Sequence, residues 1–221
     1  MITHEDQLAL FTLISKSITN NISCYAFDGT AMMFYGYKDE TKDIDILFEN
    51  EKSRQDFINV LEQLQYSETS PLGIYLPKKA KNKYAPLMYK RDESRFDLFV
   101  KKIFQTIISP RMKEDLFSVH EFKSEKTLTV NVLKKEHIVL LKAVTERDKD
   151  FEDILTIIKK EKTFDWQYFI DEVVWQFNHG NDWALLDVEK MLLELKKYTF
   201  IEKKYFTQLY QAHGKKPQLK K

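Results

Sequence analysis

Residues 43–48 read Asp43-Ile44-Asp45-Ile46-Leu47-Phe48. Charged and apolar side chains alternate over the first four positions, the period-2 pattern of a strand with one polar and one apolar face. Asp43 and Asp45 therefore project from the same face, with Cα atoms about 6.6 Å apart. Ile44 and Ile46 turn to the other face, which a core can cover. Two carboxylates on one strand face repel each other unless a cation compensates them. Hard oxygen donors at this spacing suit magnesium or manganese. The plain alternative is a solvated strand edge that carries two acids.

The neighbourhood on either side adds to this. Ser23 to Phe27 is a short apolar run that meets Asp28-Gly29, which predicts a strand entering a turn; Thr30 to Tyr35 then predicts a short helix stopped by Gly36. A glycine at such a turn lets backbone come close to a phosphate, and a threonine hydroxyl with the amides after it can donate to phosphate oxygens. Downstream, Arg95-Phe96-Asp97-Leu98-Phe99-Val100 is an apolar strand interrupted by one acid. A charge on such a strand is costly unless paired or metal-bound. Its alternative partner is Arg95 or Lys101.

The 221 residues balance 35 Lys+Arg against 34 Asp+Glu, so a globally basic nucleic-acid-coating protein is not expected, and any such contact needs a local patch. Aromatics reach 14% with few Gly and Pro, the composition of a folded chain with a sizeable core. Cys24 is the lone cysteine, which excludes an intrachain disulfide; it reads as a core residue. There is no 18-residue apolar run and no basic-then-apolar leader, so a cytoplasmic protein without membrane contact is expected. Helical spacing marks 5–18, 52–64, 138–144 and 151–158, and strands are expected at 73–76, 87–89, 96–100 and 127–132. Beyond about residue 163 the segments 165–178, 184–198 and 200–212 all read as helices, with apolar stripes at Trp166, Phe169, Val173 and Phe177 and at Leu185, Val188, Leu192 and Leu195. His179-Gly180-Asn181-Asp182 supplies a turn between the first two. The fold class is thus α/β (α+β): a mixed sheet flanked by helices over 1–160, then a helical region over 161–221 that ends in a basic tail.

Gly29-Thr30, Asp43-Ile44-Asp45 and Asp97 within an apolar strand together resemble the signature of polymerase-beta-like nucleotidyltransferases. Leu133 to Asp153, with its Lys142, Arg147, Lys149-Asp150 and Asp153, is similar to a downstream element of small prokaryotic members, among them the AbiEii-type toxins. The resemblance covers roughly 25–48, 94–100 and 130–156. It implies a nucleotidyltransferase-like core in which Asp43, Asp45 and Asp97 hold Mg2+ or Mn2+. Gly29 and Thr30 would cradle the phosphates of an NTP such as ATP, and Lys142 would neutralise them. An acceptor hydroxyl would attack the α-phosphate. A toxin role, silenced by a cognate antitoxin protein, is also implied. Many relatives carry Gly where this chain has Asp28, whose carboxylate would repel a triphosphate or cap the following helix.

Residues 78–91 hold six basic side chains and no acid, with Tyr84 and Tyr89 interleaved, a composition suited to RNA as the acceptor-bearing partner; the alternative is a solvated hairpin. Lys42 neighbours Asp43 but points to the opposite strand face. Asp150 is a weaker site candidate, while Asp153 reads as local helix pairing, and His137 reads as structural. No P-loop and no Gly-x-Ser-x-Gly elbow is present. The same scaffold without catalysis, as a nucleotide-binding or protein-interaction module, is the competing expectation.

Overall fold

The computed structural model describes residues 1–73, 83–145 and 148–214. They form two compact units, Met1–Lys134 and Lys135–Lys221. The expected strand at 73–76, most of the basic stretch before Tyr84, Arg147 and the basic tail lie wholly or largely outside the described residues.

The first unit is a mixed sheet with helices, as the alternating patterns predict. Its strands are β1 (Ile2–Thr3), β2 (Ile22–Ala26), β3 (Glu40–Thr41), β4 (Asp43–Phe48), β5 (Ser67–Thr69), β6 (Leu87–Arg91), β7 (Ser94–Val100), β8 (Lys102–Ile103), β9 (Thr106–Ile107), β10 (Leu116–Lys123) and β11 (Thr127–Leu133). The main sheet runs β10-β11-β2-β4-β7-β6-β5, with β8 and β9 appended to β7; β1 and β3 pair separately. The strands β11 and β2, and again β4 and β7, are parallel, while β2 is antiparallel to β4. Among the described residues the unit also holds helices α1 (His4–Ser15), α2 (Asp28–Phe34), α3 (Glu51–Gln63) and α4 (Pro110–Glu114) and a 3-10 turn at Pro71–Gly73.

Caps set these helices. Thr3 and Asp6 form a reciprocal capping box on α1. The Asn50 side chain accepts from the Ser53 amide at the start of α3, and Ser109 does the same for Met112 ahead of Pro110 in α4. At the end of α2, Gly36 takes φ 70, the left-handed turn that stops a helix.

The core lies on one face of the sheet. Ile44, Ile46 and Phe48 of β4 and Phe96, Leu98 and Val100 of β7 cluster with Phe11 and Ile14 of α1 and with Phe57, Val60 and Leu61 of α3. Asp43, Asp45, Arg95 and Asp97 alternate with these residues and stand on the other face. Cys24 is fully buried in the same cluster, and burial pushes its thiol well above the ordinary range, so it is an inert core residue as expected.

The second unit is helical: α5 (Lys135–Ala143), α6 (Asp148–Lys160), α7 (Trp166–Asn178), α8 (Ala184–Leu195) and α9 (Lys203–Gly214). The stripes bury Phe169, Val173 and Phe177 on α7 and Leu185, Val188, Leu192 and Leu195 on α8. Gly180 makes the intervening turn at φ 105. The unit boundary falls at Lys134 rather than near residue 160, because α5 packs with α7 and α8 and carries α6 with it. His137 meets the Tyr168 hydroxyl at 2.8 Å, and the Glu136 carboxylate accepts from the Asp165 amide at 3.2 Å. Among the described residues no helix is long and apolar enough to cross a membrane.

Phe57 is fully buried between Phe48 and Phe96, with ring centroids 5.3 and 5.8 Å away. Phe57→Ala should lower stability by about 3–5 kcal/mol, read as a shift of the urea midpoint. A loss below about 1 kcal/mol would contradict the central place given to this ring.

Candidate active site

The site is built by register. In the parallel pair β4–β7, Asp43 lies beside Arg95 and Asp45 beside Asp97. Neighbouring strands are about 4.8 Å apart, so Asp43, Asp45, Arg95 and Asp97 occupy a square of positions on one sheet face. Asp97 is completely buried and Asp45 nearly so, while the Asp43 side chain keeps 23% of its surface and Arg95 keeps 14%. The square is therefore open to solvent at the Asp43 end.

Arg95 spans the two strands. Its Nε donates to Asp97 Oδ1 at 2.7 Å and its Nη2 to Asp97 Oδ2 at 3.3 Å; Nη2 also donates to Asp43 Oδ2. Burial by itself would lower the Arg95 pKa, but Asp97, Asp43 and Asp45 outweigh it and hold the guanidinium charge more firmly than in water. The alternative partner expected for Asp97 is thus real, and it reaches further than expected because it engages Asp43 as well. The signal was legible: Arg95 and Asp97 are two residues apart on a strand and share a face.

The Gly29-Thr30 pair supports this square from beneath. The Thr30 hydroxyl accepts the Asp45 amide at 2.7 Å, and the Asp45 carbonyl accepts the Phe27 amide at 3.4 Å. Thr30 is completely buried, so its side chain does not meet a phosphate arriving from solvent. A Cβ on Gly29 would lie 2.6 Å from Thr41 Oγ1. A larger residue there would press on the Thr41 side chain, and the same Thr41 hydroxyl donates to Asp43 Oδ1 at 3.5 Å. Both residues sit at the place the sequence indicated. What the structure gives them is the positioning of Asp43 and Asp45, in place of the expected phosphate cradle.

Asp28 opens α2 at φ 48. This is left-handed backbone, which glycine adopts at no cost and which Asp tolerates better than most residues. The helix N-cap is Phe27, with no side-chain cap bond, so the Asp28 carboxylate is not the cap considered from the sequence.

Lys142 belongs to the second unit. It is buried on α5, donates to Asp153 Oδ2 at 2.6 Å and stands 3.5 Å from Asp150 Oδ1. The Thr145 hydroxyl donates to Asp150 Oδ2. The expected phosphate cation is therefore held in a carboxylate cluster, and Asp150 and Asp153 are its partners. Local helical spacing does not reveal this, because the Lys142–Asp153 pair joins two helices. Of the basic segment, Tyr84 stays close to the Lys102 ammonium, 4.9 Å from ring centroid to nitrogen, and Lys90 is exposed on β6.

Carboxylate oxygens are the donor class that a hard divalent ion takes, and here they come from adjoining strands on one face. It carries one condition. Both Asp97 oxygens and one Asp43 oxygen already accept from Arg95, so an ion that takes these oxygens shares them with, or displaces, the guanidinium. Comparison with protein-family models returns no match, and none of the curated proteins compared with the chain matches it.

Two substitutions test the support. Thr30→Val strands the buried Asp45 amide and should cost about 1–3 kcal/mol. Gly29→Ala should cost a similar amount through overpacking against Thr41. In a Thr41→Ala background the cost of Gly29→Ala should shrink by at least half, and equal costs in both backgrounds would refute the close approach as the cause. Chemical denaturation of the four variants of that cycle supplies the measurement.

Proposed function

We propose that the chain is a metal-dependent nucleotidyltransferase, in which Asp43, Asp45 and Asp97 hold divalent ions (Mg2+ or Mn2+) and an NTP donates its nucleoside monophosphate to an acceptor hydroxyl. One observation carries this reading: the in-register pairing of β4 with β7, which puts Asp45 beside Asp97 on the face that also bears Asp43. Three acids placed on one sheet face, with an apolar core on the other, are an expensive arrangement that a divalent ion turns to use.

When bound, the ions supply Lewis-acid stabilisation of the attacking and leaving oxygens. The chain's own residues do the rest by positioning. Thr30 and the Gly29–Thr41 contact fix the β4 backbone, and with it the aim of Asp43 and Asp45. Asp97, sealed from solvent, gives the most rigid ligand. Asp43, at the open end, faces the arriving triphosphate. In the transfer, the acceptor oxygen bonds to the α-phosphorus, the bond from that phosphorus to the bridging oxygen breaks, and pyrophosphate leaves with the electron pair; the hydroxyl proton passes to water. RNA is the acceptor class that the basic, tyrosine-bearing sequence at 78–91 favours, and a protein antitoxin is a partner that the sequence resemblance adds.

A second reading draws on Arg95. The same four side chains form a satisfied ion network that pins β4 to β7, in a scaffold that binds partners without catalysis.

The two readings separate in one experiment. The protein is incubated with each labelled NTP, magnesium or manganese, and total RNA, and the products are resolved for labelled RNA. Transfer of label that falls about a hundredfold or more in Asp45→Asn supports the enzyme. No label with any NTP, together with no NTP-plus-metal rise in melting temperature, leaves the non-catalytic scaffold.

A further inference from the structure

Arg95 occupies the oxygens that an ion would need. Its contacts among the described residues are the two to Asp97 and the one to Asp43, and it is the cation that reaches both strands of the carboxylate face. We infer that Arg95 is a built-in counter-ion, which a divalent ion must displace from Asp43 and Asp97, and that the displaced guanidinium then binds the polyphosphate of the incoming substrate, so that metal and polyphosphate bind synergistically. This rests on the reading of Asp43, Asp45 and Asp97 as ion ligands.

Three features support it. First, the exchange keeps a cation on the carboxylates throughout. A guanidinium leaves the carboxylates as a dication arrives, and the carboxylate face is never left without a cation. Second, the guanidinium is a planar fork of five donors, equally matched to carboxylate and to phosphate oxygens. Third, Arg95 keeps 14% of its side-chain surface and contacts Asp43, the solvent-facing member. It therefore swings toward the open end without crossing the core, which is where a triphosphate on Asp43-bound metal would lie. The short route matters, since a residue that had to unpack from Phe57 and Phe96 to move would act as a fixed strut.

Competition makes the metal alone bind weakly. Linkage then requires that polyphosphate tighten metal binding, and metal tighten polyphosphate binding, by the same factor. The lost competition in Arg95→Gln reverses the pattern: metal alone binds more tightly, and the synergy disappears. A lysine at the position reaches one carboxylate at a time and should fall between the two.

The test is a manganese titration followed by the electron paramagnetic resonance of free Mn2+, with and without inorganic tripolyphosphate. It is run on the full chain, on Arg95→Gln and on Arg95→Lys, with melting temperatures recorded for each. The concentration of free Mn2–tripolyphosphate complex is measured in a protein-free control. For the parent, tripolyphosphate should tighten Mn2+ binding at least tenfold. Arg95→Gln should bind Mn2+ alone at least tenfold more tightly than the parent, gain a larger rise in melting temperature from Mn2+, and show less than a threefold effect of tripolyphosphate. If the Gln variant folds poorly without ion, Arg95→Lys carries the comparison, with an intermediate affinity expected. Equal or weaker Mn2+ binding in both variants would overturn the exchange while leaving the carboxylates as ligands. Absence of Mn2+ binding in the parent and in both variants would instead remove the metal site itself, and the inference with it.

Discussion

The parallel pairing of β4 with β7 is the constraint on which the site depends. It places Asp45 beside Asp97 and Asp43 beside Arg95, and it does so because the other face of both strands is continuous core. Side chains repeat every second residue along a strand. A slip of one position would drive Asp97 and Asp45 among Phe57, Val60 and Leu61 and expose Phe96 and Ile44 to the polar side. Hydrophobic burial thus enforces the geometry of the charges. The price is electrostatic: carboxylates at paired positions of strands about 4.8 Å apart repel each other where water is excluded. Arg95 answers that repulsion from within the same two strands.

The elements around this pair serve to hold it. α2 is short, and its left-handed first residue, Asp28, together with Gly29 and Thr30, turns the chain from β2 under β4. Thr30 then takes the Asp45 amide, a bond that a strand bordered by β2 on that side would otherwise leave to the sheet ladder. Thr41 fills the space that Gly29 leaves empty and touches the Asp43 carboxylate. The backbone that carries the acids is therefore fixed by small side chains acting at close range. Contacts of this kind fix the aim of the carboxylates that the strand carries.

Much of this was legible because it is local. The alternation in 43–48 gives the strand its observed bounds and places Asp43 and Asp45 on one face, and the alternation in 95–100 sets Asp97 opposite Phe96 and Leu98. The stripes of α7 and α8 follow from spacing alone. What escaped depends on contacts between distant segments. β10 was missed because apolar Phe117 and Val119 stand on its exposed face and polar Ser118 and His120 on its half-buried one, so the sequence shows no polar and apolar side although burial alternates along the whole strand. The two-residue pairing of β1 with β3 has no period to detect. Thr41 looks like any loop threonine until its side chain meets Gly29. The unit boundary was placed near residue 160 because a change in helical content is visible along the chain, whereas the packing of α5 with α7 and α8 is not. For the same reason Lys142 looked like a cation in search of phosphate, when Asp150 and Asp153 from the next helix already stand beside it.

Stability alone is a poor explanation for a buried square of this kind. Taking charges out of water costs several kcal/mol for each ion, and replacing such a network with apolar side chains of similar volume is often neutral or stabilising by about 1–4 kcal/mol. The strands β4 and β7 already have a full apolar face to hold them together, so their second face is under no need to carry three acids and an arginine. Removal of Arg95 alone would be costly, since it leaves Asp97 buried beside Asp45; removal of all four charges together would not be. An arrangement that is dear to break and cheap to replace outright persists where the charges themselves are used. The gradient of exposure has the same sense: the square is sealed at Asp97 and open at Asp43, with the guanidinium of Arg95 between them. A strut between two strands would gain from being closed at both ends. A site that takes up a cation and an anion from solvent has to be open at one.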